Sequence, residues 1–278
     1  MKLESVLVAL SLTVTLAPGA AAASGHTAIA SGERSVYVPI LVYHHFGAVA
    51  RDEMTVRAST LAWQLHYLKA HGYRPIWLRD YVRFRLGEAP PPPPRSVILT
   101  ADDGRRSVFT DLFPLVRALR MPVTLFVYPS AISNASYAMT WAQLATLVRT
   151  GLFQVESHTY WHPNFHIEQR RLDRAQYALF VARQLGLSKR VLERRLGIRV
   201  DMLSWPFGIY DPFLMRAARA AGYVAAVTIE RRAAGPDDPL LALPRYIVTD
   251  TDIGARFARL LDSGSIPAGA AAVRERRP

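Results

Sequence analysis

From Val36 almost to the end of the chain, short runs rich in β-branched residues alternate with longer stretches whose apolar residues recur every three or four positions. That alternation constrains the fold more than any other feature, because parallel strands need a long crossover between them and a helix is the usual one. Strands are expected at 37–44, 96–100, 123–128, 153–158, 202–207, 224–229 and 246–248, with a short one at 75–78. Helices are expected at 60–71, 108–119, 141–149, 173–185, 212–221 and 253–261, with Gly72, Gly151 and Gly222 closing three of them. Strands and helices in this number predict an α/β fold, a (β/α) barrel of about seven parallel strands, whose functional groups gather at the C-terminal strand ends.

Before this region, Lys2 precedes an apolar run from Val6 to Ala17, then Pro18, Gly19 and alanines ending at Ala23. About 12 apolar residues fall short of the roughly 20 that span a bilayer, so residues 1–23 read as a secretory signal peptide rather than an anchor. Export to the periplasm or the medium is expected, with no transmembrane anchor after cleavage. Residues 24–35 read as a flexible segment, 36–262 as one domain, and 263–278 as a disordered tail with little to bury. Cysteine is absent, so no disulfide staples the fold. Pro90 to Pro94 form a stiff spacer. The formal charge of +12 is carried almost wholly by arginine, since lysine occurs only at positions 2, 69 and 189. That balance suits association with anionic envelope surfaces, and genome composition explains it equally well. Scattered basic residues without a recognition motif argue against nucleic acid.

Polar residues cluster where strands are expected to end. Asp102 and Asp103 follow one strand and precede Gly104, which allows a sharp turn. Adjacent side chains diverge, so one carboxylate can hold a metal while the other addresses a water; alternatively, one of them caps the next helix. His158 and His162 suit two imidazoles bending onto one ion, and Asp/His/His is an ordinary divalent set with positions left for water. A hydrogen-bonded surface pair is the plain alternative. Zn²⁺ is the first expectation, with Co²⁺, Ni²⁺ and Fe²⁺ equally compatible with the donor set. Tyr160, Trp161, Trp205 and Phe207 lie near these residues in the sequence and offer faces for a sugar ring, or else simple packing.

Thr100-Ala101-Asp102-Asp103-Gly104 and His158-Thr159-Tyr160-Trp161-His162 resemble the first two motifs of the carbohydrate esterase family 4 polysaccharide deacetylases, the NodB-homology family. The resemblance runs from about Val36 to Leu261. It implies a distorted (β/α) barrel, with Asp102 as general base and Asp103, His158 and His162 as metal ligands. Ala101 stands where the family has Phe. The third motif, Ser204-Trp205-Pro206-Phe207-Gly208, lacks the family's arginine, and the late Leu-x-His is replaced by Leu243-Pro244-Arg245. At these points the chain is similar to the poly-β-1,6-N-acetylglucosamine N-deacetylases, including an early Tyr43-His44-His45. That likeness implies His44 as general acid, although a buried strand-end histidine is the alternative. Some members of that subgroup carry a further C-terminal domain, which a chain of this length is not expected to have.

The expected activity is removal of N-acetyl groups from an extracellular or envelope polysaccharide. The competing readings are a deacetylase of peptidoglycan, chitin or xylan, and a glycan-binding barrel that has lost catalysis. A base beside a dication gains from a fixed cation that orients it, and Arg245 is the candidate. A solvent-facing arginine is its plain alternative.

Overall fold

The computed structural model describes residues 36–262. The expectations for a signal peptide, a flexible segment and a disordered tail fall on residues 1–35 and 263–278, outside the described residues. The strands are β1 (Ile40–Tyr43), β2 (His45–Gly47), β3 (Thr55–Arg57), β4 (Arg74–Ile76), β5 (Ser96–Ala101), β6 (Val123–Val127), β7 (Phe153–Ser157), β8 (Met202–Ser204), β9 (Ala225–Val227) and β10 (Tyr246–Ile247). The helices are α1 (Ala58–Ala70), α2 (Leu78–Arg85), α3 (Phe113–Leu119, entered through a wider turn at Val108–Leu112), α4 (Trp141–Arg149), α5 (Phe165–Arg171), α6 (Arg174–Leu196), α7 (Pro212–Ala220) and α8 (Gly254–Asp262). None of them is long and apolar enough to cross a membrane.

Seven parallel strands curl in the order β10-β1-β5-β6-β7-β8-β9, and β4 pairs with the lower half of β5. Because β6 pairs only with the upper half of β5, at Thr100 and Ala101, the barrel is distorted there. The seam between β9 and β10 is bridged by one residue. Leu243 exchanges backbone bonds with Ala226 and Thr228, and three residues later Tyr246 is in register with Leu41 of β1. Arg245 therefore sits in the seam itself.

The period of two along each strand sorts side chains between two cores. Val97, Leu99 and Ala101 of β5 pack outward with Leu61, Leu65 and Val116 from the surrounding helices. Ile98 faces inward with Ile40, Phe126, Met202 and Val227, and α2 closes the N-terminal mouth by adding Leu78, Tyr81 and Val82. There Glu156 accepts the Asp201 and Met202 amides at 2.9 and 2.8 Å and the Arg79 guanidinium at 2.8 Å. Burial nonetheless pushes its carboxyl up to about 8.

Several elements differ from the sequence expectation. The 202–207 strand stops at Ser204, because Pro206 cannot donate to a ladder and Phe207 takes a left-handed φ of 56°. The helix expected to stop near Leu185 continues to Leu196, since Gly186 is accommodated within it and Gly197, at φ 66°, supplies the stop. Helices α2 and α5 and the small β2–β3 pair were not anticipated at all.

Candidate active site

The barrel rim carries four non-glycine residues in left-handed backbone: Asp103 (φ 71°), Thr159 (63°), His162 (61°) and Phe207 (56°). Each such residue costs about 1–3 kcal/mol, and strain of this kind persists where the surroundings demand it. At Asp103 the turn rotates a carboxylate off the strand direction and onto the rim. Gly104 must follow it, because its φ is 69° and a Cβ there would lie 3.0 Å from Ile132 and 3.1 Å from Val127. Around His158, Thr159 Oγ1 accepts the His162 amide and the Thr159 amide donates to Ser157 Oγ, both at 3.2 Å. These bonds bend the chain so that two histidines four residues apart meet.

The donor atoms of Asp103, His158 and His162 all lie within 4.8 Å of one another. Asp103 Oδ1 is 3.8 Å from His158 Nε2 and 4.0 Å from His162 Nε2. Those gaps are too long for hydrogen bonds and close enough for one ion to bridge at about 2.0–2.2 Å per ligand. His158 Nδ1 lies 2.8 Å from the Ser204 carbonyl, which can only accept, so Nδ1 carries a proton and the neutral ring presents its Nε2 lone pair to the cluster for an ion. Burial, reinforced by neighbouring His158, pushes His162 down to about 4 and keeps it a neutral donor at pH 7. The residues present thus fit a divalent metal.

Asp102 points into the barrel and is 2% exposed. Arg245, fully buried, grips it at two points, Nη1 to Oδ1 at 2.9 Å and Nη2 to Oδ2 at 2.7 Å. Ser204 Oγ donates to Oδ2 at 2.9 Å and accepts from Arg245 at 2.8 Å. Thr100 Oγ1 and the Thr228 carbonyl take the remaining guanidinium N–H groups at 3.1 and 2.8 Å. Burial alone would raise the Asp102 carboxyl, but Arg245, His158 and His44 outweigh it and hold it well below the usual carboxylate range. His44 is close enough that Asp102, Asp103, Arg245 and His158 all act on its charge, and burial, the largest influence, lowers it. It is neutral in the resting site at pH 7.

The structure therefore brings together Asp102, Asp103, His44, His158, His162 and Arg245. The aromatic residues divide. Phe207 is 56% exposed and stands edge-on to His162 at 4.6 Å between ring centroids, and Trp161 is exposed against Phe180. Tyr160 is half-buried. Trp205 is a correction: at 1% exposure, with its indole N–H on the Leu241 carbonyl at 2.9 Å and its ring against Phe165, it packs the core and has no face for a sugar. Sequence reasoning missed Thr100 and Ser204 as partners of the Asp102–Arg245 pair. The signal was there for Thr100, which lies two residues before Asp102 and so on the same face of β5.

The polysaccharide deacetylase family matches this chain at residues 89–226. The poly-β-1,6-N-acetyl-D-glucosamine N-deacetylase of Staphylococcus epidermidis is 24% identical over 196 residues, covering 67% of this chain. The chain spans 65% of the length of that relative. Among solved structures, the Streptococcus pyogenes deacetylase PplD in complex with acetate superposes with a TM-score of 0.74 at 21% identity, over 82% of this chain and 99% of that one. IcaB from Ammonifex degensii gives 0.70 at 21% identity, over 83% and 98%. At such identities these two likenesses are of fold.

Proposed function

Because the chain belongs to the polysaccharide deacetylase family and is an amide-hydrolysing enzyme, we propose that it is an exported, metal-dependent N-deacetylase acting on poly-β-1,6-N-acetylglucosamine. The observation that carries the reading is the pairing of a three-ligand cluster with a neighbouring carboxylate that an internal arginine fixes in place. Asp103, His158 and His162 would hold the ion. A divalent ion there would acidify a water and polarise the acetamide carbonyl, which is what a base as weak as Asp102 requires.

The chain's own residues do the rest. Asp102 is ionised at neutral pH, and the two-point grip of Arg245 leaves it a single orientation from which to accept the water's proton. The leaving amine needs a proton in return. His44 would deliver it: neutral at rest, it can take up the proton that Asp102 accepted from the water and pass it to the leaving nitrogen, which returns both side chains to their resting states. Phe207, exposed beside His162, flanks the sugar. Tyr43-His44-His45, the arginine-free Ser204–Gly208 segment and the name of the S. epidermidis relative all support a β-1,6-linked substrate. The N-terminal apolar run supports export.

The test compares metal-loaded and chelated protein on β-1,6-linked N-acetylglucosamine oligomers, on chitin oligomers and on peptidoglycan, reading released acetate and free amine. Metal-dependent release that is fastest on the β-1,6 oligomer is expected. Faster release from either other polymer would replace the substrate, and release that survives chelation would remove the metal. His44→Ala should slow amide cleavage far more than cleavage of an activated acetate ester, whose leaving group needs no proton.

A further inference from the structure

Asp103 has a second oxygen that faces away from the histidines. Its Oδ2 lies 3.4 Å from Arg105 Nε, a long contact between partly exposed side chains. Arg105 is itself braced. Its guanidinium lies 4.5 Å over the Tyr137 ring, and its backbone bridges antiparallel to Ala138. The Arg106 amide donates to the Tyr137 carbonyl at 2.8 Å, and the Met139 amide to the Gly104 carbonyl at 2.9 Å. The Tyr137 hydroxyl is 2.6 Å from that of Tyr128, and the Tyr128 ring stands 5.4 Å from His162 and 6.3 Å from His158. A chain of contacts thus leaves Asp103 through Arg105, Tyr137 and Tyr128 and returns to the two histidines.

We propose that Arg105 is a positioning residue for the metal cluster, occupying Asp103 Oδ2 so that Oδ1 alone is offered to an ion, with Tyr137 and Tyr128 as its brace. A carboxylate can ligate through one oxygen or two. A second oxygen on the ion would fill a place that a hydrolytic site keeps for water and substrate. Arginine suits the position because a planar guanidinium can lie on a ring and still present an N–H at its edge, which an ammonium cannot. The inference rests on the proposed metal site.

The probe is Co²⁺ titrated into the full chain, with affinity from chelator competition and coordination from its visible absorption; thermal unfolding checks the fold. Arg105→Gln frees Oδ2 and takes a partly screened cation away from the ion, so it is expected to tighten Co²⁺ binding by up to about fivefold and to change the shape of the Co²⁺ band as the second oxygen joins. Tyr137→Leu, which keeps the charge and removes the platform, should move both in the same direction by less. The double variant should bind no more tightly than Arg105→Gln. Wild-type affinity and an unchanged band in Arg105→Gln would overturn the inference; should that variant not fold, the same result in Tyr137→Leu would do so. A wild-type chain that takes up no Co²⁺ would overturn the metal site as well, a failure seen before any variant is made.

Discussion

Asp102 and Asp103 share a peptide bond, and each faces an arginine, but the two pairs are built differently. Inside the barrel, Arg245 makes two short bonds to Asp102, and Ser204, Thr100 and Thr228 satisfy what remains. On the rim, Arg105 makes one contact of 3.4 Å to Asp103, between side chains 30% and 14% exposed. A buried pair is costly to break because the survivor is left charged in a poor solvent, whereas a partly exposed pair is screened and contributes little to stability. The difference suits the two proposed tasks. A base must stay ionised and aimed, while a ligand must keep one oxygen available to an ion that comes and goes.

Removing the carboxylates breaks the comparison most completely. Asp103→Ala, like His158→Ala and His162→Ala, should lose both metal and turnover, since three protein ligands are the minimum for a site of this kind. Metal content by atomic spectroscopy, with acetate release, checks it; full occupancy in any two variants would sink the ligand assignment. Asp102→Asn should instead keep its metal and lose about 10²–10⁴-fold in turnover, because the near-isosteric amide cannot accept a proton. A wild-type rate in that variant would remove Asp102 from the mechanism.

The arginines separate next. Arg245→Ala strands Asp102 in the barrel, and denaturant unfolding should register a loss of about 3–5 kcal/mol. Arg245→Lys should recover little, because an ammonium cannot hold two carboxylate oxygens in one plane. Arg105→Ala should cost at most about 1 kcal/mol in the same experiment. Equal losses would mean that burial does not distinguish the pairs.

How much of this was readable beforehand varies with the kind of signal. Strands β5 and β6 were legible because each is an apolar run between polar ends, β7 because Phe153 and Val155 alternate with polar residues, and α4 because its apolar residues recur at helical spacing before Gly151. Helix α2 was not, since Leu78–Arg85 is charge-rich, short and capped by no side chain; its apolar residues matter only because they plug a barrel mouth that local pattern does not reveal. Helix α6 ran past its expected end because Gln184, Ser188 and Lys189 interrupt the apolar period. The site divides in the same way. Asp102, Asp103, His158 and His162 stand in two short motifs, whereas Arg245 reaches Asp102 across 143 residues through closure of the seam. Trp205 misled because proximity in sequence to the rim does not tell which way a ring points.

The smallest effect separates the pairs by proton linkage. Ser204 lies between Arg245 and Asp102, donating to one and accepting from the other. Ser204→Ala should keep the metal and the two-point grip, and should cost about 1–3 kcal/mol for the lost bond onto a buried charge. Its pH dependence follows from the direction of the Asp102 shift. The folded-state value is depressed, so the stability gained from ionised Asp102 is fully present above the unfolded value of about 3.9 and is lost as pH falls through the folded one. Without the hydroxyl the carboxylate is held less well, and its folded value moves up toward the unfolded one. The stability gap between wild type and Ser204→Ala, measured by urea unfolding of metal-free protein, should therefore be constant from pH 5 to pH 8 and should narrow only as Asp102 begins to protonate at lower pH. A gap that opened or closed between pH 5 and pH 8 would mean that the hydroxyl acts on a group titrating near neutrality and not on the carboxylate that it touches.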